Sequence, residues 1–244
     1  MLLAVAARQA ETHHMINVKP GDLFGDACLL CGLSAKGARI CAPCLDVMPR
    51  NDCFCPCCGQ PVTTRQPDGV KCAACQRKQP LFDLARAPFH YAFPVDAALK
   101  KMKFRRQLAI APAFAELLLP VLHAEFSHCD ALVPVPLHRW RHVTRGFNQA
   151  RELCNPLSKE TNLPVLDSVV RVKATGSQSG LSASERRRNL HGAFVARHSL
   201  PFRHPVIIDD VITTGTTSGQ LAQALFRAGA SSVGVLAVAY SSTL

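Results

Sequence analysis

The chain has 244 residues, 48% of them hydrophobic and 18% charged. That allows one ordinary domain plus a small one and excludes a disordered or fibrous protein. The formal net charge of +11 favours anionic partners, either phosphorylated small molecules or nucleic acid. Eight thiolates holding two zinc ions would lower it to about +7 without changing its sign.

The opening residues, MLLAVAARQAETHH, hold only a short apolar run with no basic region before it and Glu11 soon after, which is not a secretory signal. No run elsewhere approaches the ~20 apolar residues of a membrane span, so a cytoplasmic protein without membrane insertion is expected. Residues 1–26 read as a mobile N-terminal tail, with Met15 as an alternative start.

Of the twelve cysteines, ten lie between Cys28 and Cys75. Four C-x2-C pairs stand out: Cys28/Cys31, Cys41/Cys44, Cys55/Cys58 and Cys72/Cys75. Such a pair lets one tight turn present two sulfurs to a tetrahedral ion, and two pairs complete a structural four-cysteine site. Glycine after Cys31 and after Cys58 supplies the positive φ that such turns need. Sequential pairing puts Cys28, Cys31, Cys41 and Cys44 around one Zn2+ and Cys55, Cys58, Cys72 and Cys75 around a second; an interleaved cross-brace is the alternative. Cys53 and Cys57 are surplus and could replace Cys55 or Cys58 without offending the spacing. Residues 27–80 hold too little apolar material to fold without such staples.

A joint at Lys78–Pro88 leads into the main domain, taken as 86–244, where PFHYAF suggests a first strand. Val95, Ala98, Leu99 and Met102 fall at helical spacing, beside a basic cluster of Lys100, Lys101, Lys103, Arg105 and Arg106. That cluster is either a solvated helix face or a contact for pyrophosphate or a nucleic-acid backbone. Ala109–Phe126 predicts a second helix, with Pro112 tolerable in its first turn and Pro120 a kink or break. Ala131-Leu132-Val133 reads as a strand ended by Pro134-Val135-Pro136-Leu137, and His138, Arg139, Arg141 and Arg145 follow as a second candidate anion site. A helix opens after Arg145-Gly146-Phe147-Asn148-Gln149 and is expected to bend or split at Pro156.

Beyond a strand at Leu166–Val170, the polar run Lys173–Ser184 reads as a flap, and Glu185–Arg188 begins a short helix. From Leu137 to Pro205 there are twelve Lys/Arg against four Asp/Glu. Val206-Ile207-Ile208 is then a strand buried on both faces, followed by Asp209, Asp210 and the loop Thr213-Thr214-Gly215-Thr216-Thr217. Leu221, Leu225 and Phe226 mark the helix after it. A helix N-terminus at a sheet edge favours a phosphate, and two acids beside it suit vicinal ribose hydroxyls. The absence of GxxxxGK[ST] argues against a nucleoside triphosphate.

The stretch from Pro205 to Thr217 resembles the signature of the type I phosphoribosyltransferases: four apolar residues, two acids and a Thr/Gly-rich loop. That resemblance implies 5-phosphoribosyl 1-pyrophosphate as ligand, usually with Mg2+. The order of the Pro134–Pro136 and Arg145–Gln149 segment, then Gln178, Glu185, Arg186, Asn189, Gly192 and Phe194, then this signature, resembles the ComF/GntX family. Members also carry an N-terminal double zinc ribbon, which the cysteine pairs here resemble. The resemblance implies an α/β type I phosphoribosyltransferase fold, a Rossmann-like parallel sheet with flanking helices, preceded by that ribbon. It also implies work in competence, the uptake or processing of transforming DNA, with competence-machinery proteins as partners. Carried over by position, Asp209 and Asp210 meet the ribose, Thr213 to Thr217 the 5′-phosphate, and Pro134 to Leu137 with Arg145 the pyrophosphate. An enzyme would stabilise charge with Arg145 and Lys103 as pyrophosphate leaves. A reading from a different class is a non-catalytic accessory that holds single-stranded DNA and uses the sugar-phosphate site as a sensor.

Overall fold

β-Branched and small apolar runs too short for helices build a sheet, and longer runs at 3.6-residue spacing cover it. The structure, a computed structural model, describes residues 26–63, 69–137, 146–172, 192–198 and 201–242. The N-terminal tail up to residue 25, His138 to Arg145, the flap and the helix expected from Glu185 therefore lie outside the described residues. Strands are β1 (Leu84–Arg86), β2 (Phe89–His90), β3 (Ala131–Pro134), β4 (Val169–Arg171), β5 (Phe194–Ala196), β6 (Pro205–Ile212) and β7 (Gly234–Tyr240). Helices are α1 (Ala42–Asp46), α2 (Ala73–Arg77), α3 (Val95–Arg105), α4 (Ile110–Glu125), α5 (Gln149–Thr161) and α6 (Thr216–Arg227). None of these helices is long and apolar enough to cross a membrane.

The main sheet runs β1–β7–β6–β3, with β2 continuing β1's edge along β7, and every pair is parallel. Side chains alternate between its two faces, as period-2 geometry requires. Val206, Ile208, Leu236 and Val238 pack with α3, α4 and α5, while Ile207, Val235 and Ala237 pack with α6. The chain therefore leaves β3 for one face, through α5, and β6 for the other, through α6. Ligands of open α/β sheets bind at such a switch point, outside the carboxyl ends of the strands. The expected fold class, a parallel α/β sheet after a cysteine-rich segment, is the one observed.

Three local expectations change. The edge strand starts at Leu84, inside the segment read as a joint, because Asp83–Arg86 is held by β7 on one side and the cysteine module on the other. α4 continues through Pro120, and α5 through Pro156. Each proline removes one N–H bond, to Glu116 and to Glu152, and both acceptor residues lie toward solvent, which can satisfy the freed carbonyl. β4 is shorter than the expected strand and pairs antiparallel with β5, while Val165 bridges Leu132 at the free side of β3.

The cysteine-rich module docks onto the sheet at two places. Cys28, Ile40, Cys41 and Met48 are buried in the core beside α4, where Arg39 pairs with Glu116 at 2.7 Å. The second half covers the outer side of β1. Ala85 N–H donates to the Cys57 carbonyl at 2.9 Å, Arg86 Nη1 donates to the Pro56 carbonyl at 2.8 Å, and Asn51 Nδ2 bridges the Gly59 and Ala87 carbonyls. An edge strand that would offer unpaired N–H groups is thereby closed. Gly59 has φ +69, and a Cβ there would stand 2.8 Å from the Ala85 carbonyl oxygen, so only glycine permits this approach.

Candidate functional site

β3's last rung pairs Pro134 with Ile208, whereas β6 runs on to Ile212 beside β7. Past that rung, Asp209 and Asp210 have a strand on one side only. The loop after β3 stays close, because Val135 N–H donates to the Ile208 carbonyl at 3.0 Å. The two carboxylates and the segment Pro134 to Leu137 thus share one crevice.

Within it, Asp209 Oδ1 accepts from the Asp210 N–H at 2.8 Å, and Asp210 Oδ1 from the Val211 N–H at 3.1 Å. Burial, and next the charge of Asp210, hold the Asp209 carboxyl well above the usual carboxylate range. Lys103 on α3 brings its ammonium to 3.5 Å from Asp210 Oδ2. Lys100 instead pairs with Asp96 one helical turn back, at 2.6 Å, so the basic cluster of α3 divides between the site and the helix's own surface.

The threonine loop turns through Gly215, whose φ of +67 starts α6 without a side-chain cap. Its first-turn N–H groups are therefore unclaimed by a capping side chain, and they carry the positive end of the helix dipole. Thr214 and Thr216 hydroxyls meet at 2.8 Å. Phe82 supports the turn from behind: a Cβ on Gly215 would stand 3.3 Å from its ring. Thr213, Thr214, Gly215 and Thr216 open on a cavity of about 450 Å³ whose opposite wall includes Cys58, Cys75 and Lys78.

Three residues named in the sequence take roles there that the sequence reading did not assign. Asn148 caps α5 by accepting from the Ala150 N–H at 3.0 Å and donates through Nδ2 to the Val135 carbonyl at 3.0 Å, so one side chain fixes both the helix start and the loop after β3. An Asn three residues after a basic residue and directly before an amphipathic run is an N-cap signal that could have found it. Arg106, at φ +54, ends α3 and lies over Gly146: a Cβ on that glycine would be 3.0 Å from the guanidinium. Gln149 is buried with Nε2 unpaired. Arg145, the cation expected beside the pyrophosphate, lies outside the described residues.

The cysteines gather sequentially. Cys28, Cys31, Cys41 and Cys44 form one group and Cys55, Cys58, Cys72 and Cys75 another, each with its sulfurs within 4.8 Å of one another. Cys31 and Cys41 sulfurs are 3.8 Å apart, as are those of Cys58 and Cys72. A tetrahedral ion with ~2.3 Å metal–sulfur bonds requires edges of about 3.8 Å, so the donor sets fit a metal. N–H groups of Leu30 and Cys41 point at Cys28 Sγ, and that of Cys72 at Cys55 Sγ, at 3.3 to 3.4 Å. Burial opposes ionisation of Cys28, but backbone N–H groups outweigh it and bring the thiol down to about 6; Cys44, half-buried, is pushed up to about 12 by desolvation and by the sulfurs beside it. Cys53 and Cys57 belong to neither group, although Cys57 is buried against Cys55 and Cys75. Cys154 is fully buried in the core, as a small hydrophobe would be.

No family model matches the chain. The DNA utilization protein YhgH of Escherichia coli K12 is 39% identical over 202 residues, which cover 80% of this chain and 88% of that protein. Competence protein F of Haemophilus influenzae is 36% identical over 193 residues, 75% of this chain and 84% of its own. Among solved structures, the glutamine phosphoribosylpyrophosphate amidotransferase of Bacillus subtilis overlaps 57% of this chain and 30% of its own length, at 18% identity and a TM-score of 0.39. Identity at this level across most of both chains is shared descent, and the chain belongs to the competence protein F family, ComF.

Proposed function

We propose that the carboxyl edge of the β3–β6 crevice binds 5-phosphoribosyl 1-pyrophosphate, and that the protein is a phosphoribosyltransferase-like component of DNA uptake or processing. One juxtaposition carries the reading: paired carboxylates and an uncapped threonine loop at the end of β6, beside a tethered loop at the end of β3. In this reading the ribose hydroxyls donate to Asp209 and Asp210. The 5′-phosphate takes the N–H groups and hydroxyls of Thr213, Thr214, Gly215, Thr216 and Thr217. Pro134, Val135, Pro136 and Leu137 lie along the pyrophosphate, with Arg145 and Lys103 meeting its charge. Relatives named for competence and DNA utilization support the cellular role.

As a transferase, the site forms a bond from the acceptor to the ribose C1 while the C1–O bond to pyrophosphate breaks and its electron pair leaves with that group. The acceptor's proton passes to Asp209, whose basicity is raised by burial and by Asp210. Asp209 and Asp210 would hold Mg2+, which would supply charge to screen the leaving pyrophosphate. Residues 27–80 form a double zinc ribbon with two structural Zn2+, and 86–244 the phosphoribosyltransferase-like domain.

A second reading has its own support. Arg105 and Arg106 are exposed at the end of α3 beside Lys101, a cluster of cations suited to the phosphates of single-stranded DNA. Calorimetry with phosphoribosyl pyrophosphate and Mg2+ decides the first reading. Affinity should fall at least tenfold in the Asp209→Asn, Asp210→Asn double variant, and unchanged affinity would reject it. Pyrophosphate released with an acceptor marks a transferase. Ligand binding without release, together with oligonucleotide affinity that drops steeply with salt, marks the accessory role.

A further inference from the structure

The threonine loop takes its shape from a distant part of the chain. α6 starts at Gly215 without a side-chain cap, so no side chain of its own fixes the direction of its first N–H groups. Phe82, 4% exposed, lies behind that turn: a Cβ on Gly215 would stand 3.3 Å from its ring. Leu81 lies behind the next turn, 3.5 Å from where a Cβ on Gly219 would be. The two glycines are joined by the Gly219 N–H, which donates to the Gly215 carbonyl at 2.8 Å. Positions four apart share one stripe of a helix, so Leu81 and Phe82 press together on the turn that presents the loop.

These two side chains are strung between anchors. On one side Asp83 holds Val233 twice: its N–H donates to the Val233 carbonyl at 3.0 Å, and its Oδ2 accepts from the Val233 N–H at 2.8 Å. On the other side the chain runs back through Lys78 into α2, which carries Cys75 and follows Cys72, two of the four sulfurs of the second cysteine group. α2 has five residues, too few for its own hydrogen bonds to keep it helical. Its place therefore depends on those sulfurs being gathered. The first cysteine group sits with α4 on the opposite face of the sheet from α6 and has no such line to the loop.

We infer that the second cysteine group sets the affinity of the threonine loop for the 5′-phosphate through Leu81 and Phe82. Metal at one site and phosphate at the other then favour each other. The inference rests on the phosphoribosyl reading above and adds a regulation of that same site. Phe82 is a positioning residue in it, since it touches the loop and not the ligand. Coupling between two bound ligands is reciprocal, so it can be read from either end.

The test uses the full chain and ribose 5-phosphate, with inorganic pyrophosphate as control ligand for the loop after β3. Phe82→Ala should weaken ribose 5-phosphate binding at least tenfold, while pyrophosphate affinity and metal content stay within twofold. Phe82→Met, apolar and of similar length, should recover most of the loss. Cys58→Ser with Cys75→Ser, in dilute solution, should lose as much as Phe82→Ala; Cys31→Ser with Cys44→Ser should bind like the parent. That last variant keeps only the second group's metal, and saturating ribose 5-phosphate should raise the chelator concentration needed to withdraw it about tenfold. Should Phe82→Ala fail to fold, this chelator measurement decides, since it leaves Phe82 in place. Chelation indifferent to ribose 5-phosphate, or unchanged ribose 5-phosphate affinity in Phe82→Ala and the second cysteine pair, overturns the coupling and leaves the phosphoribosyl reading standing. Equal loss of pyrophosphate binding in those variants overturns it too, because the module would then support the whole domain. A parent that binds neither ribose 5-phosphate nor phosphoribosyl pyrophosphate rejects the phosphoribosyl reading itself, and the coupling falls with it.

Discussion

Asp209 is the residue where electrostatics and function pull against each other. Its carboxyl is desolvated on β6 just past the end of β3, next to Asp210, and both effects favour the protonated form over the ordinary value of 3.8. A carboxyl whose proton affinity rises on folding adds stability at low pH and withdraws it as pH climbs through the raised value. Asp209→Asn removes that penalty while its amide oxygen can still accept from the Asp210 N–H. Without ligand, the variant should melt higher than the parent at pH 8, with the gain shrinking towards pH 4. For a chain of this size, ~1 kcal/mol corresponds to about 2–4 °C. A thermal series of both proteins at matched pH reads it directly, since any metal loss at low pH affects both. A gain independent of pH, or a loss at pH 8, would mean that the carboxyl is not held against its charge.

Elements place that residue through their ends. The crevice exists because β3 stops one rung before the acids and Asn148 then ties its outgoing loop to α5. Asn148→Ala should cost about 1 kcal/mol, the usual value of an N-cap, visible as a lower denaturation midpoint. The variants separate the two bonds. Asn148→Asp keeps the acceptor for the Ala150 N–H but loses the donor to the Val135 carbonyl, so it should recover most of the stability. Its affinity for inorganic pyrophosphate should stay as weak as that of Asn148→Ala. Equal affinity in parent and Asn148→Asp would show that the loop needs no such tether. At this scale the sequence is only partly legible. The buried strands at Ala131 and Val206 and the faces of α3 and α6 declare themselves by period and by β-branching. Neither the break allowed for at Pro120 nor the split at Pro156 occurs, because tertiary packing on one face holds each helix together across the missing bond. β1 was hidden because Leu84-Ala85-Arg86 is three residues long and owes its place to partners about 150 and 30 positions away. The acids and threonine loop were readable since their chemistry lies in consecutive residues. The cavity, Arg106 over Gly146 and the double use of Asn148 were not, since each needs groups that meet only after folding.

At the scale of the molecule, the two cysteine groups protect different things. The first rests on α4, whose backbone bonds, apart from the Glu116 carbonyl freed by Pro120, are satisfied within the helix, so losing it exposes mainly side chains such as Ile40 and Met48. The second covers β1, and losing it frees the Ala85 N–H and the rest of a parallel edge to pair with another chain. Disabling each group by paired substitutions should therefore have unequal consequences. Cys31→Ser with Cys44→Ser, and Cys58→Ser with Cys75→Ser, should each leave one metal equivalent per chain rather than two. Only the second pair should make the protein aggregate at a rate that rises with concentration, followed by light scattering. Asn51→Ala separates edge cover from metal binding, since it removes the Nδ2 bridge between the Gly59 and Ala87 carbonyls while every sulfur and every turn glycine remains. It should retain two metals yet scatter like the second pair. If the first pair aggregates as fast as the second, or if Asn51→Ala stays clear, the second group is a staple for its own loops and the edge of the sheet is guarded by something else.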